Sequence, residues 1–211
     1  MSNILTQISN AVVEGQINDI SSLTITALNS GLTAKDVLDK GLLPGMEIIG
    51  IGFKRGDRFI PEVLISATTM QIALDILKPL LAIAGEKMAG KVIIGTVKGD
   101  VHDIGKKLVG MMLEGAGFEV IDLGKDVPMD KFVDAVKKEK PDLVAMSALL
   151  TTTMVSMSQT IAALKDAGLR ETVKIMIGGA PVTADYAKQI GADGYAANAP
   201  EAVELAMKLA D

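Results

Sequence analysis

The feature that most restricts the fold is the alternation of short, β-branched segments with helical segments after Gly90. Strand-like segments span residues 91–97, 118–124, 142–149, 173–179 and 193–197. Helical spacing covers residues 103–116, 129–139, 154–168, 183–190 and 200–209. Strands that alternate with helices form right-handed βαβ units, which build a parallel sheet with helices on both faces. The sequence therefore predicts an α/β domain with a Rossmann or flavodoxin-like, doubly wound parallel five-stranded sheet.

Residues 1–88 show helical spacing and almost no strand signal. Four helices are predicted: one on Ile4, Ile8 and Val12, one over residues 19–29 that ends before Gly31, one capped by Thr33 that runs towards Gly45, and one that begins at Pro61. Helices with short connections form a small bundle. We therefore expect a helical domain over residues 1–88 and an α/β domain over residues 89–211.

The composition excludes several classes of protein. The chain contains no cysteine, which excludes disulfides, thiolate-bound zinc, iron–sulfur clusters and a cysteine nucleophile. The net charge is −5 and the charges are spread along the chain, so no basic patch predicts a nucleic-acid partner. No apolar run approaches the ~20 residues of a membrane helix, and the N-terminus lacks the pattern of an export signal. We expect a cytoplasmic protein with no membrane partner.

The only histidine, His102, lies in the loop KGDVHDIG (98–105), directly after the first predicted strand. An ordinary strand-to-helix turn with Asp103 as the N-cap would also explain this loop. A phosphate-binding loop is disfavoured, because Gly-Lys-Ser/Thr is missing and aspartates repel phosphate. A single imidazole suits one axial position of a metal that a macrocycle already holds, and Asp100 can hold the other ring N–H. Haem and corrin both meet this description.

Three sequence elements, each after a predicted strand, resemble the signature of proteins that bind cobalamin base-off and His-on. They are Asp100-x-His102-x-x-Gly105, Ser147-x-Leu149 and Gly178-Gly179. The carboxyl ends of parallel strands meet at one edge of the sheet, so these elements are expected to converge there. The chain resembles the cobalamin-dependent methionine synthases and the small corrinoid proteins of methyltransferase systems.

The resemblance implies a role for each element. His102 would coordinate cobalt from the lower axial position, and Asp100 would accept the proton of the other ring nitrogen. Thr153 stands where the methionine synthases have a serine, and it would extend this hydrogen-bond relay. The full set of implied cofactor-binding residues comprises Gly99, Asp100, Val101, His102, Asp103, Ile104, Gly105, Ser147, Leu149, Thr151, Thr153, Gly178, Gly179, Phe53 and Ile60.

The same resemblance implies a cavity for the nucleotide tail of the cofactor. Gly105 would let the backbone approach the tail, because glycine has no Cβ. Ser147 and Leu149 would line the cavity, while Gly178 and Gly179 would give room for the sugar and phosphate. A plain turn at the end of a strand explains the glycine pair equally well.

The segment GFKRGDRFIPEV resembles part of the helical cap domain of these proteins. Phe53 and Ile60 match two apolar positions that shield the upper face of the corrin. Such a cap must move aside for methyl transfer, which makes it a gate. Packing inside the helical bundle explains either residue equally well.

The resemblance implies a carrier that is not a complete enzyme alone. A donor-specific methyltransferase would deliver a methyl group to Co(I), and a second one would pass it from methyl-Co(III) to tetrahydrofolate or a thiol. A reductive activase would rescue Co(II). The cofactor would be methylcobalamin, cob(I)alamin or a related corrinoid. Similar shuttles serve phenyl methyl ethers, methylated amines or betaines, and methanol, and we expect a phenyl methyl ether or a methylated amine as the donor.

Three other functions are compatible with parts of the sequence. The B12-binding subunit of an adenosylcobalamin mutase shares the Asp-x-His-x-x-Gly loop but typically lacks a helical cap with the Phe53 and Ile60 pattern. A B12-based light sensor would need a DNA-binding module, a second histidine and a tryptophan, and this chain has one histidine and no tryptophan. An α/β domain without a cofactor is disfavoured by the spacing of the three elements.

Overall fold

The computed structural model describes residues 2–85 and 88–210, and the chain divides into two compact units. One unit comprises the residues before Ala89 together with Glu114–Gly117, and the other comprises Ala89–Leu113 and the residues from Phe118 onward. The first unit is helical. Its elements are α1 (Ser2–Glu14), α2 (Ile17–Asn29), α3 (Ala34–Val37), a π-helical turn (Leu38–Leu42), α4 (Leu43–Arg55) and α5 (Ile60–Ala84).

The helical unit contains a helix, α4, that the sequence analysis missed. The third predicted helix runs only towards Gly45, and none is predicted between it and Pro61. Pro44 lies in the first turn of α4, where no backbone N–H is needed. Gly45 is buried, and a Cβ at this position would lie 2.8 Å from the carbonyl oxygen of Ser9 in α1. The glycine therefore permits close helix packing instead of ending a helix. Within residues 2–85 the structure thus has five α-helices where four were predicted, and the π-helical turn joins α3 to α4.

Helix α5 is the one described helix that is long and apolar enough, by length and composition, to cross a membrane. It has 25 residues, and its most apolar 18-residue window has a mean hydropathy of 1.4. The expectation that no apolar run approaches this length is therefore corrected for α5. The helix packs against α1, α2 and α4, and 44% of that window is buried. Val63, Met70, Leu74 and Leu77 are its buried core positions.

The second unit is a five-stranded parallel sheet with the strand order β2-β1-β3-β4-β5. Its strands are β1 (Gly90–Thr96), β2 (Phe118–Asp122), β3 (Leu143–Ser147), β4 (Lys174–Gly178) and β5 (Gly194–Ala196). Its helices are α6 (Ile104–Gly115), α7 (Met129–Glu139), α8 (Val155–Asp166), α9 (Ala184–Ile190) and α10 (Ala199–Ala210). This order is the flavodoxin-like arrangement, and the predicted fold class is confirmed.

The last residues of three neighbouring strands lie side by side at the carboxyl edge of the sheet. The register pairs Thr96 of β1 with Ser147 of β3, and Ser147 with Gly178 of β4. Adjacent strand residues point to opposite faces. Met146 belongs to the core cluster that includes Phe132 of α7 and Met157 of α8, so Ser147 and its neighbours in the register lie on the other face. The strand order reverses between β1 and β3, and ligands of doubly wound sheets bind at this point.

Candidate functional site

The loop that carries His102 begins with a tight turn at the end of β1. The N–H of Asp100 donates to the carbonyl of Val97 at 3.1 Å. Gly99 adopts a φ of +85° in this turn, a left-handed conformation that favours glycine. The turn carries the chain over the edge of the sheet, and α6 begins at Ile104.

The buried carboxylate of Asp100 is the centre of the hydrogen bonding in this loop. Its Oδ1 accepts from the main-chain N–H of His102 at 3.0 Å and lies 2.8 Å from Nδ1 of the same residue. Its Oδ2 accepts from the main-chain N–H groups of Leu149 and Leu150 at 2.7 and 3.2 Å, and from the Thr153 hydroxyl at 2.8 Å. The structure thus joins four of the predicted residues, Asp100, His102, Leu149 and Thr153, in one group.

The protonation of this group follows from the hydrogen bonds. Burial raises the pKa of Asp100, but the hydrogen bonds from the main chain of Leu149 and from the main chain and ring of His102 outweigh it, so the pKa lies well below its usual range. An ionised carboxylate can only accept, so Nδ1 of His102 carries the proton. In the neutral imidazole, Nε2 then carries the lone pair, and the side chain is 48% exposed. This is the donor form that binds transition metals.

Large apolar side chains are exposed in the two segments that follow β1 and β3, one of which carries His102. Their exposed fractions lie between 42% and 74%, and they are Val101, Ile104, Leu149, Leu150 and Val155. Apolar side chains of this size are normally buried. Exposed apolar groups near an exposed metal-donor nitrogen suit an extended, largely apolar ligand.

Two residues that the sequence analysis did not select also hold the loop. The buried hydroxyl of Thr96 lies 3.2 Å from the carbonyl oxygen of His102 and 3.0 Å from the Ser147 hydroxyl. Asp126 accepts from the N–H of Gly99 at 2.7 Å through its side chain and donates its own N–H to the carbonyl of Asp100 at 2.9 Å. Thr96 had a detectable signal, because it is a polar residue at the end of an apolar strand. No such signal in the sequence pointed to Asp126, because this residue lies in the loop after β2.

The three glycines of the predicted site differ in how strongly the fold requires a residue without a side chain. A Cβ at Gly179 would lie 1.8 Å from the carbonyl oxygen of Ala148, and its φ is +125°, so the fold itself requires glycine there. A Cβ at Gly178 would lie 2.9 Å from the carbonyl oxygen of Ala196. A Cβ at Gly105 would meet nothing within 4 Å. Gly105 therefore borders open space that a ligand can use.

Other predicted residues take no part in the side-chain hydrogen bonds of Asp100. Thr151 lines a cleft of about 540 Å³ together with residues of α8 and α9, among them Tyr186. Asp103 pairs with Lys107 at 2.9 Å. In the helical unit, Phe53 is half-buried in α4, and Ile60 is exposed at the start of α5. The cavity expected between Ser147 and the glycine pair stays a prediction.

The residues at the carboxyl edge fit a corrinoid. His102 offers one nitrogen lone pair, backed by a carboxylate that fixes the tautomer, which suits a metal whose other ligands come from a macrocycle. A Cβ at Gly105 would meet nothing within 4 Å, so there is open space beside the loop that carries His102.

Comparisons with known families and structures agree with this fit. A B12 binding domain matches residues 90–204, and a second B12 binding domain matches residues 4–78. A corrinoid protein of Desulfitobacterium hafniense is 39% identical over 98% of this chain and 97% of its own length. Dimethylamine corrinoid protein 1 of Methanosarcina acetivorans is 43% identical over 98% of this chain and 97% of its own length.

A solved structure is similar over nearly the whole chain. It is the methanol:cobalamin methyltransferase complex of Methanosarcina barkeri, which matches with a TM-score of 0.89 and 32% identity, over 99% of this chain and 80% of that chain. The match covers residues of both the helical and the α/β regions. The chain belongs to the family of B12-binding corrinoid proteins of methyltransferase systems.

Proposed function

We propose that this protein is a corrinoid methyl carrier that holds its cofactor base-off and His-on. The observation that carries the proposal is the pair formed by Asp100 and His102, in which Nδ1 is fixed by a buried carboxylate and Nε2 is left to coordinate. When bound, the corrinoid supplies a cobalt centre that can take up and release a methyl group. The chain supplies the lower ligand, the space for the displaced tail and the surfaces for partner enzymes.

The lower ligand is His102, and its strength as a donor depends on Asp100 and Thr153. The carboxylate of Asp100 draws on the proton at Nδ1, which makes the imidazole a stronger donor at Nε2. The Thr153 hydroxyl and the N–H groups of Leu149 and Leu150 stabilise the charge on Asp100, so the proton stays on Nδ1. The relay holds the proton on the ring.

The carboxyl edge of the sheet would hold the nucleotide tail. Thr96, Ser147 and Gly178 form a row of small residues across three neighbouring strands. A Cβ at Gly105 would meet nothing within 4 Å. Val101, His102 and Leu149 lie beside this row and would meet the lower face of the corrin.

We infer that the helical unit shields the upper face of the corrin. Ile60 is 45% exposed and Phe59 is 67% exposed at the start of α5, which gives the unit an apolar surface suited to this role. Phe53, in the preceding helix, is half-buried. The boundary between the cap and the cobalamin-binding domain is proposed at residues 88 and 89.

The relatives favour a methylated amine as the methyl donor. A dimethylamine corrinoid protein is 43% identical to this chain, whereas the methanol:cobalamin methyltransferase complex is 32% identical. We therefore propose a donor methyltransferase for a methylamine, an acceptor methyltransferase that uses tetrahydrofolate or a thiol, and a reductive activase. A phenyl methyl ether becomes the less favoured donor. These relatives also favour a methyl carrier over a mutase subunit, and we propose that the carrier works in the cytoplasm.

The decisive experiment is the visible spectrum of the protein loaded with cobalamin. We expect a base-off, His-on spectrum in the wild type and its loss in His102→Ala, because the variant lacks the axial nitrogen. Added imidazole should restore a nitrogen-ligated spectrum in the variant. An unchanged spectrum in His102→Ala would overturn the proposed ligation.

The donor class is tested by methyl transfer to the reduced, cobalamin-loaded protein. We expect transfer from dimethylamine with a dimethylamine-specific methyltransferase, and little transfer from methanol with its own methyltransferase. Equal or preferred transfer from methanol would contradict the methylamine assignment, while the proposed carrier function would stand.

A further inference from the structure

We propose that Thr96 is a positioning residue that fixes the main chain of His102 and links it to Ser147. This inference rests on the proposed function, because it concerns how the axial imidazole is held. Thr96 is the last residue of β1 and is fully buried. Its hydroxyl lies 3.2 Å from the carbonyl oxygen of His102 and 3.0 Å from the hydroxyl of Ser147.

The direction of these hydrogen bonds follows from the number of protons. A carbonyl oxygen can only accept, and a threonine hydroxyl has a single proton. Thr96 must therefore donate to the carbonyl of His102, and Ser147 must donate to Thr96. The result is a directed chain of hydrogen bonds from Ser147 through Thr96 to His102.

This chain complements the contacts of Asp100. Asp100 holds the N–H and the ring of His102, whereas Thr96 holds the carbonyl of the same residue. With both backbone groups and Nδ1 held, the direction of Nε2 is fixed by the protein before any metal binds. Such preorganisation strengthens binding, because less freedom is lost when the ligand forms.

Ser147 connects this support to the space proposed for the nucleotide tail. It lies between Thr96 and Gly178 in the register of the sheet. A hydrogen-bond acceptor on the tail would compete with Thr96 for the Ser147 proton. Thr96 would keep its bond to His102, because its own proton is not needed elsewhere. We therefore expect Thr96 to matter for axial ligation even when no tail is present.

A threonine suits this position better than a serine, since its branched side chain restricts rotation about χ1. Its methyl group also fits the buried, β-branched character of β1. Valine has the same shape and lacks only the hydroxyl, so Thr96→Val removes the hydrogen bonds with little change in packing volume. Thr96→Ser keeps the hydroxyl and removes the methyl group.

The test measures axial ligation of cobinamide, a corrinoid without the nucleotide tail, by absorbance titration. Thr96→Val should weaken His-on binding by roughly three- to tenfold, the effect of one neutral hydrogen bond. Thr96→Ser should stay within about twofold of the wild type. The matched control is Thr24→Val, a buried threonine of the helical unit that donates to the carbonyl of Ile20, and it should leave ligation unchanged.

Two further measurements keep the result interpretable. Circular dichroism melts of the variants without cofactor would identify any loss of folding. If Thr96→Val unfolds, the comparison of Thr96→Ala with Thr96→Ser replaces it: both variants lack the methyl group and differ only in the hydroxyl, so Thr96→Ala should bind cobinamide roughly three- to tenfold more weakly than Thr96→Ser. Equal binding by these two variants would overturn the inference.

The outcomes separate this inference from the proposed function. If the wild type shows a spectrum that depends on His102 and Thr96→Val binds cobinamide equally well, the role of Thr96 is wrong and the carrier function stands. If the wild-type spectrum does not depend on His102, both proposals fall. In the Thr96→Val background, Ser147→Ala should add no further loss of cobinamide ligation, because the chain is already interrupted.

Discussion

Asp100 contacts His102 twice through the same oxygen: Oδ1 accepts from the main-chain N–H at 3.0 Å and lies 2.8 Å from Nδ1 of the ring. The two contacts fix the ring relative to its own backbone. The other oxygen, Oδ2, is held by the loop after β3 through Leu149, Leu150 and Thr153. The imidazole is therefore tied to two neighbouring strands through one carboxylate.

Replacement of Asp100 by asparagine is expected to destabilise the α/β domain. An amide has one oxygen and one NH2 group, so one side of the side chain would present N–H groups to N–H donors. Donors left unpaired in a buried site cost about 1–3 kcal/mol each, and we expect a total loss of about 2–4 kcal/mol. The measurement is urea unfolding of the protein without cofactor.

Asp142→Asn provides the control for this variant. Asp142 is exposed, and its Oδ2 accepts from the N–H of Lys91 at 2.7 Å. An asparagine oxygen can accept the same bond, so the variant should change the free energy of unfolding by less than about 1 kcal/mol. Equal effects of the two substitutions would contradict the special role of Asp100.

The hydroxyl of Thr153 is expected to be needed, whereas its methyl group is not. Thr153 lies 2.8 Å from both Oδ2 of Asp100 and the carbonyl of Leu150, and it is buried. Thr153→Val should lower the free energy of unfolding by about 1–2 kcal/mol, because a buried charge loses a donor. Thr153→Ser should behave like the wild type in urea unfolding and in the fraction of His-on cobalamin. A stable Thr153→Val variant with a normal spectrum would refute this role.

Alanine is expected to lower the stability of the protein at Gly179 but not at Gly105. Gly179→Ala should destabilise the apoprotein by more than about 3 kcal/mol, because its φ of +125° is strained for alanine and its Cβ would collide with Ala148. Gly105→Ala should fold as well as the wild type, since its Cβ meets nothing within 4 Å. Thermal unfolding measures both effects.

Binding of cobalamin and of cobinamide by Gly105→Ala tests whether the nucleotide tail occupies the open space beside Gly105. Gly105→Ala should weaken the binding of cobalamin and leave the binding of tail-less cobinamide unchanged, because the methyl group would occupy the path of the tail. Equal affinity of this variant and the wild type for cobalamin would show that the tail does not pass Gly105.

Asp126 is expected to support the turn before Asp100. Its side chain accepts from Gly99 and its N–H donates to Asp100, while its own φ is +53°. Asparagine keeps an oxygen acceptor and tolerates this conformation, so Asp126→Asn should stay close to the wild type. Asp126→Ala should lose about 1–2 kcal/mol of stability, measured by urea unfolding. Similar losses in both variants would indicate that the charge, and not the hydrogen bond, matters.

The helical unit is expected to lose stability in acid through Asp36. A hydrogen bond from Lys40, followed by those from Thr33, lowers the pKa of Asp36 to about 2. The folded pKa lies below the unfolded value of about 3.9, so this stabilisation is present above about pH 4 and is lost as the pH falls towards 2. Asp36→Asn should flatten the fall in melting temperature over this window. A parallel acid profile in the variant would contradict this assignment.

The sequence by itself determined the fold class and the main chemical groups. The alternation of strands and helices after Gly90 predicted the parallel sheet, because each strand must be covered by helices on both faces. The position of His102 directly after β1 placed the imidazole at the carboxyl edge. A short-range pattern is enough for these conclusions, because the residues concerned are neighbours along the chain.

The tertiary structure decided how the loop is held and which glycines the fold needs. Thr96 and Ser147 meet only because β1 and β3 pair in one register, and Asp126 reaches Gly99 from the loop after β2. The requirement for glycine at position 179 arises from the carbonyl of Ala148 on the neighbouring strand's loop. Helix α4 was missed for a similar reason: Gly45 lies within this helix because it allows close packing against α1, which the local sequence does not reveal. Contacts between residues far apart in sequence depend on strand register and helix packing, which local patterns do not specify.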